Sequence, residues 1–386
     1  MSDVTQAPVL FTELPCGSSG ASLSIGLATL NLPKALNSLN LAMVRLLLEQ
    51  LNQWQTREDI VAVVLRGAGE KAFCAGGDVV ALHNAMQASP KTTPAAARDF
   101  FTEEYKLDHL IHDFAKPIIV WGSGIVMGGG MGLLMGASHR IVTETSRFAM
   151  PEITIGLYPD VGGSYFLNKM PAGCGLFCGL TGVSINAADA LALGLSDHYL
   201  ASTQFDELLS AMQALPWQKQ AAGSGSSAAH SLVSECCSQL QDKHETALPD
   251  AQFARHEQLM STVAASDNVG DAVQIILQAP SQGNKWLGKA QANLHAGSPI
   301  TMHLVFQQLT RAKSLSFAEC LQMELAMSFR CAAVGEFQEG VRALLIDKDM
   351  QPKWQYSTYA DVPKDLIESF FQPQWQGSHP LAELNK

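Results

Sequence analysis

The chain has 386 residues, 47% of them hydrophobic and 16% charged, a composition of ordinary globular proteins with enough apolar mass for one large core or two domains. A formal net charge of −11 argues against a broad surface for nucleic acid or anionic membrane, although a local basic pocket can still hold a phosphorylated ligand. The eight cysteines form no Cys-x-x-Cys pair and no Cys/His cluster at metal-ligand spacing, so no metal and free thiols in a reducing cytosol are expected.

Met1 to Leu14 carries Asp3 and Glu13 and lacks the basic-then-apolar order of a secretory signal, which supports a cytoplasmic placement. Ser22 to Leu32 suits strands of a first sheet, and Pro33 ends the run. Asn37 or Asn40 can cap a helix in which Leu41, Val44, Leu47, Leu48 and Leu51 recur at helical spacing. Ile60 to Leu65 follows as a continuous apolar run of the kind buried on both faces of a parallel sheet.

A first glycine turn, Cys74-Ala75-Gly76-Gly77-Asp78, comes next. Pro117 to Trp121 and Ile125 to Met127 read as strands, Gly128-Gly129-Gly130 as a second turn, and Met131 onward as a short apolar helix. Pro117 to Ser138 is uncharged and about long enough to cross a bilayer, but its glycines divide it into strand, turn and helix. Ile141-Val142 and Phe148-Ala149-Met150 read as further strands, and Asn186 to Leu193 as a helix stopped by Gly194.

Between Trp217 and Asp250 the composition shifts to Ala, Gly, Ser and Gln, with Gly223 to Ser227 the weakest point. Helical patterns dominate from Ala251, as in Phe317 to Met327, and no repeat period of roughly 20 to 50 residues is present. The expected organisation is a core over residues 1–200, a linker or surface excursion over 201–250 and a helical region over 251–386.

Chemistry concentrates at the two glycine turns and at Glu152 and Asp160, which follow them in Met150-Pro151-Glu152 and Pro159-Asp160. Glycine lets a backbone N–H approach a ligand oxygen, and a pair of such N–H groups makes an oxyanion hole. Partial burial raises a carboxyl pKa toward the range useful for acid or base work. Cys74 reads as a small buried residue rather than a nucleophile, and His83, His109, His112 and His139 have no Ser or Cys partner in a triad pattern.

In order, Leu32-Pro33-Lys34-Ala35-Leu36-Asn37, Lys71 to Asp78, Met127 to Gly132 and Phe148 to Glu152 resemble the signatures of the crotonase (enoyl-CoA hydratase/isomerase) superfamily. The resemblance covers nearly the whole chain and implies an α/β fold, a crotonase-like ββα superhelix with a largely helical C-terminal region. It implies an oxyanion hole from the Gly77 and Gly129 N–H groups, aimed at an acyl-CoA thioester oxygen. Ile155 to Leu167, Phe101 to Tyr105 and Glu339 to Trp354 are similar to the 3-hydroxyisobutyryl-CoA hydrolase branch. That resemblance makes Glu152 the principal catalytic carboxylate, as general base or as nucleophile, and gives Asp160 the substrate hydroxyl or part of the proton traffic. Glu104 would contact the acyl end, and CoA would lie along Lys34, Ala35 and Leu36 and the turn from Ala75 to Val79.

Hydratases of this superfamily carry a second glutamate just after the glycines, where this chain has Gly132. The expectation is therefore hydrolysis of 3-hydroxyisobutyryl-CoA, or a similar short 3-hydroxyacyl-CoA, in valine breakdown. No cofactor beyond the CoA of the substrate, no nucleic-acid or membrane partner, and an open question of homo-oligomer assembly complete the reading. An enoyl-CoA hydratase or isomerase and a non-catalytic acyl-CoA-binding protein are the alternatives.

Overall fold

A computed structural model describes residues 7–17, 22–218, 227–243 and 247–385. The chain divides into two compact units that interleave along the sequence: residues 1–77, 107–148 and 186–250 form one, and residues 78–106, 149–185 and 251–386 the other.

The first unit holds β1 (Val9–Cys16), β2 (Leu23–Leu30), β3 (Ile60–Gly67), β4 (Ala72–Cys74), β5 (Ile118–Gly122), β6 (Ile125–Met127), β7 (His139–Val142), most of β8 (Arg147–Ala149) and β9 (His198–Tyr199). A six-stranded sheet runs β1-β2-β3-β5-β7-β9, and a three-stranded sheet runs β4-β6-β8. Successive pairs, β3 with β4, β5 with β6 and β7 with β8, thus give one strand to each sheet, which is the repeating ββα turn. Only β1 pairs antiparallel in the larger sheet, so the central strands are covered on both faces, and Ile60 to Leu65 are buried without alternation.

Asn40 caps the Leu41–Thr56 helix, its side chain accepting from the Met43 N–H at 3.0 Å. That helix buries Met43, Val44, Leu47, Leu51 and Trp54. A Cβ on Gly26 of β2 would stand 2.8 Å from the Trp54 ring, so glycine there is what lets helix and sheet meet.

Residues 201–250, expected to be a linker or excursion, carry the Phe205–Gln213 and Ser227–Lys243 helices. Leu208, Met212, Val233, Cys237 and Leu240 from these helices join Val64, Ile119 and Ile141 of the sheet in one apolar cluster. Residues 219–226, which include most of the Gly/Ser run, lie outside the described residues. The uncharged stretch from Pro117 to Ser138 is β5, β6 and the Gly129–Gly136 helix. Among the described residues no helix is long and apolar enough to cross a membrane.

The second unit is almost wholly helical. Its Phe317–Val334 helix starts in a capping box: Ser316 Oγ accepts from the Glu319 N–H at 3.2 Å, and Glu319 Oε2 accepts from the Ser316 N–H at 2.8 Å. This helix is buried on nearly all sides, and its interior includes two polar residues one turn apart, Glu324 and Ser328.

Candidate active site

In the first unit the glycine turns adjoin. Leu36 and Asn37 follow the Pro33–Ala35 turn in left-handed conformations, φ 53° and 56°, and the Asn37 side chain holds that shape. Its Oδ1 accepts from the Leu32 N–H, and its Nδ2 donates to the Ala68 and Ala72 carbonyls at 3.0 and 2.9 Å. The Ala75 N–H then donates to the Leu36 carbonyl at 3.1 Å, and the Leu39 N–H to the Gly76 carbonyl at 2.8 Å. Four expected CoA contacts, Lys34, Ala35, Leu36 and Ala75, are brought together in this way.

Gly76 has φ +107°, and a Cβ built on it would lie 3.8 Å from the Gly129 N. The Gly128 carbonyl accepts from Met131 and Gly132, so the Gly129 N–H opens the helix without an intrahelical acceptor. Neither it nor the Gly77 N–H has a hydrogen-bond acceptor among the described residues. Gly130 is fixed by packing: a Cβ there would stand 2.3 Å from the Cys74 carbonyl oxygen. The Gly129–Gly136 helix carries no ionisable side chain, and Gly132 is buried within it. Cys74 is buried, its thiol 3.7 Å from the Gly76 carbonyl.

The second unit holds the acids. Val79, the remaining expected CoA contact, opens the Val79–Ala88 helix after its Asp78 cap. Glu104 lies on the Ala95–His112 helix, Glu152 opens the Glu152–Ile155 turn, and Asp160 sits on the loop before the Gly163–Lys169 helix. All three are at most 4% exposed. Burial, and then the charge of Asp160, push the Glu104 and Glu152 carboxyls well above the usual carboxylate range. Burial pushes Asp160 up to about 7, against a hydrogen bond from Tyr105 that favours its anion. Glu104 Oε1 and Glu152 Oε2 have no hydrogen-bond partner among the described residues. Glu104 and Glu152 thus each feel the charge of Asp160, and the buried Glu104 and Asp160 lose their protons in coupled steps.

The Glu152 turn and the Asp160 loop are held by residues far away in sequence. At Gly156 (φ +69°) the Glu152 turn passes so close to the Glu336 backbone that a Cβ would come within 2.4 Å of its carbonyl oxygen. Ser298 donates its N–H to the Ile153 carbonyl and its hydroxyl to Glu336 Oε2 at 2.5 Å. The Asp160 loop is strained: Val161 has φ +52°, which a β-branched side chain adopts rarely, and Gly162 follows at +85°. Glu324 holds that conformation, accepting the Gly162 and Ser164 N–H groups, both at 2.8 Å, on its two carboxylate oxygens. Burial pushes the Glu324 carboxyl up to about 8. Gln308 donates to the Pro159 carbonyl at 2.7 Å.

Sequence reasoning assigned no role to Glu324 or Ser328 and placed Tyr105 and Tyr158 only within segments similar to the hydrolase branch; all four are buried next to Asp160 or its loop. The Glu339 to Asp349 motif runs from the end of the Glu336–Val341 helix through the π-helical Arg342–Ile346 and is organised by Arg342, which pairs with Glu339, Asp347 and Asp349 at 2.6–2.8 Å. His139 is structural: it is buried among Ser138, His230 and Ser234, and desolvation lowers its pKa to about 4. Among the described residues no group of His, Cys, Asp and Glu side chains is arranged to hold a metal ion.

A family model described as enoyl-CoA hydratase/isomerase matches residues 25–371, and the chain belongs to this family, the crotonase superfamily. Its fold is the crotonase α/β fold with a largely helical C-terminal region. A curated relative, the mitochondrial 3-hydroxyisobutyryl-CoA hydrolase of Xenopus tropicalis, is 36% identical over 346 residues, or 90% of this chain and 86% of that protein. A solved structure described as a carnitinyl-CoA dehydratase from Mycobacterium thermoresistibile superposes with a TM-score of 0.79 at 32% identity, covering 95% of this chain and 97% of that one. Another, described as an enoyl-CoA hydratase from Rhodobacter sphaeroides, gives 0.79 at 28% identity over 95% and 98%.

These relatives correct one expectation. The cytoplasmic placement is overturned, because curated relatives at 32–36% identity are all named as mitochondrial proteins. The eight cysteines are all buried, and their burial does not distinguish one compartment from another.

Proposed function

We propose that the protein hydrolyses the thioester of 3-hydroxyisobutyryl-CoA, releasing CoA and the free hydroxy acid, a step of valine breakdown. The observation that carries this reading is the buried acid cluster of Glu104, Glu152 and Asp160, together with a Gly129–Gly136 helix that has no carboxylate. Curated relatives spanning 90% of the chain bear the name of that activity.

The Gly77 and Gly129 N–H groups polarise the thioester carbonyl and stabilise the oxyanion that forms when it is attacked. Lys34, Ala35, Leu36, Ala75 and Val79 bind the CoA portion, Lys34 offsetting phosphate charge. Glu152 is the principal catalytic carboxylate, either taking the proton of the attacking water or attacking the thioester carbon itself. Its raised pKa makes the ionised carboxylate a stronger base and a stronger nucleophile alike. Glu104 and Asp160 meet the polar acyl end, where an acid that keeps its proton can donate to the substrate hydroxyl or to the departing sulfur.

Release of free thiol from 3-hydroxyisobutyryl-CoA by the wild type, with loss in Glu152→Gln and Asp160→Asn, is the expected result. Single turnover in heavy-oxygen water tells the two routes apart, since only attack by Glu152 passes label through its carboxyl group. A second reading, hydration of an enoyl-CoA, draws on the descriptions of the two solved structures. Consumption of crotonyl-CoA without thiol release would favour it, and tight binding of both esters with no turnover would leave only a binding module.

A further inference from the structure

Asp160 stands at one end of a line of hydroxyl groups. Its Oδ2 is 2.9 Å from the Tyr105 hydroxyl, which is 2.7 Å from Ser328 Oγ. Ser328 Oγ is in turn 2.7 Å from the Tyr158 hydroxyl, and Tyr158 donates to the Glu324 backbone carbonyl at 2.6 Å. All the side chains in this line are buried.

Counting hydrogens along the line decides its preferred state. Four oxygen–oxygen contacts need four hydrogens, and the hydroxyls of Tyr105, Ser328 and Tyr158 supply three. With Asp160 ionised, Tyr105 donates to the carboxylate and Tyr158 to the carbonyl, which can only accept. Ser328 then has a single hydrogen for its two neighbours, and one buried pair of oxygens faces each other with nothing between them. With Asp160 protonated the count closes. Asp160 donates to Tyr105, Tyr105 to Ser328, Ser328 to Tyr158 and Tyr158 to the carbonyl, every contact filled and all pointing the same way.

We propose that Tyr105, Ser328 and Tyr158 are positioning residues that form a hydroxyl relay holding a proton on Asp160. Removal of the proton reverses two O–H bonds, those of Tyr105 and Ser328, and moves the vacancy to the Ser328–Tyr158 contact. The chain ends on a carbonyl, so it stores the proton and does not conduct it away. Within the proposed hydrolase the stored proton serves the departing CoA sulfur, with the Asp160 O–H bond broken and an S–H bond formed. Only that use rests on the hydrolase reading; the protonation state is a property of the free protein.

Burial and the charges around Asp160 favour the same state, against hydrogen bonds from Tyr105 and from the backbone at Asp160 that favour its anion. The Ala95–His112 helix brings Glu104 and Tyr105, the turn at residue 152 brings Glu152, the loop itself brings Tyr158, and the Phe317–Val334 helix brings Glu324, Ser328 and Cys331. None of these is a cation. Burial independently pushes the Asp160 carboxyl up to about 7.

The test is the pH at which Asp160 ionises in the full-length protein without substrate. It is read by carbon-13 NMR of carboxyl-labelled aspartate, with the resonance assigned by its absence in Asp160→Asn. Ser328→Ala and Tyr158→Phe each remove the surplus contact that an ionised Asp160 leaves unfilled, so the midpoint falls by about one pH unit. Tyr105→Phe removes the hydroxyl that solvates the anion among the described residues, so the midpoint rises. A purely structural role moves none of the midpoints in folded protein, and midpoints that stay put or all move in one direction overturn the relay. Should Ser328→Ala fail to fold, Tyr158→Phe, which loses a single oxygen atom, carries the same expectation.

Discussion

The two glycine turns and the acid cluster are opposite ways of building reactive chemistry. In the proposed mechanism the functional atoms near Gly77 and Gly129 are backbone N–H groups, and the turns are shaped by residues without side chains: Gly76 at φ +107°, and Gly130, whose Cβ would collide with Cys74. Around Asp160 the functional atoms are side-chain oxygens gathered from residues 104, 105, 152, 158, 324 and 328. The first arrangement stabilises the fold as it positions its donors, because the same hydrogen bonds serve both ends. The second works against the fold, since acids are taken out of water without a cation beside them. A substitution should therefore cost both stability and activity at the turns, and trade one for the other in the cluster.

The largest expected effect breaks activity alone. Glu152→Gln keeps the shape of the side chain while removing the basic oxygen, so kcat should fall roughly 10³-fold, within the range for loss of a positioned acid–base group. The protein should be as stable as the wild type or more so, because a neutral amide replaces a buried acid. Thiol-release kinetics beside a urea melt check both halves of the expectation.

The next effect is on stability, and its sign follows from linkage. The Asp160 pKa is raised in the folded protein, from 3.8 to about 7, so the folded state binds the more protons between those values. Its contribution to stability is fully present below pH 3.8 and is lost as pH rises through 7. The limit for this one group is about 4 kcal/mol, from 1.36 kcal/mol per pKa unit. Glu324, raised from 4.5 to about 8, adds a loss of the same sign at slightly higher pH. Urea midpoints of the wild type should fall between pH 5 and pH 8, and Asp160→Asn should flatten that slope. A wild-type stability that climbs over the same interval would contradict the buried-acid account.

At the turns, Gly130→Ala should lose both properties together. The added methyl would lie 2.3 Å from the Cys74 carbonyl oxygen, backbone that can move only by shifting β4 or the Gly129–Gly136 helix. A loss of about 3 kcal/mol is expected from overpacking of this kind, with kcat falling as the Gly129 N–H is displaced. Retained activity in a destabilised Gly130→Ala protein would separate the turn's packing from its chemistry.

The same contrast explains how much could be read before the structure. Turn glycines are local: Gly76 and Gly128 have backbone shapes that favour glycine and Gly130 a contact that only glycine fits, and the apolar run of β3 announces a buried parallel strand. Glu152 and Asp160 were legible from the short motifs that carry them. Glu324 and Ser328 were not, because their helix is apolar on nearly every face and helical periodicity gives a polar residue in such a helix no direction. Their hydrogen bonds reach back to residues 158, 162 and 164, more than 150 positions earlier, which no window along the chain could capture. The 201–250 stretch hid its packing for a different reason. Val233, Cys237 and Leu240 recur at helical spacing, but they are diluted by Ala, Ser and Gln, and composition outweighed periodicity. The ββα repeat leaves no sequence period because each turn needs only an apolar strand pair and a bend, which different residues supply each time.

The smallest effect sharpens the comparison within the acid cluster. Ser316 begins the helix that brings Glu324 and Ser328 to the Asp160 loop, and its capping box satisfies helix N–H groups at an exposed end. Ser316→Ala should cost about 1 kcal/mol, the usual worth of such a cap. Eight residues further on, however, Glu324 is fixed by its two bonds to Gly162 and Ser164 and by burial on all sides, and neither depends on the first turn of the helix. Activity and its pH profile should therefore be unchanged at a temperature well below the melting point. If kcat drops with the cap intact elsewhere and the fold retained, the helix terminus sets the position of the acids; if only the urea midpoint moves, the acids are positioned by the strained loop they hold, and that loop is the part of the cluster that repays further substitution.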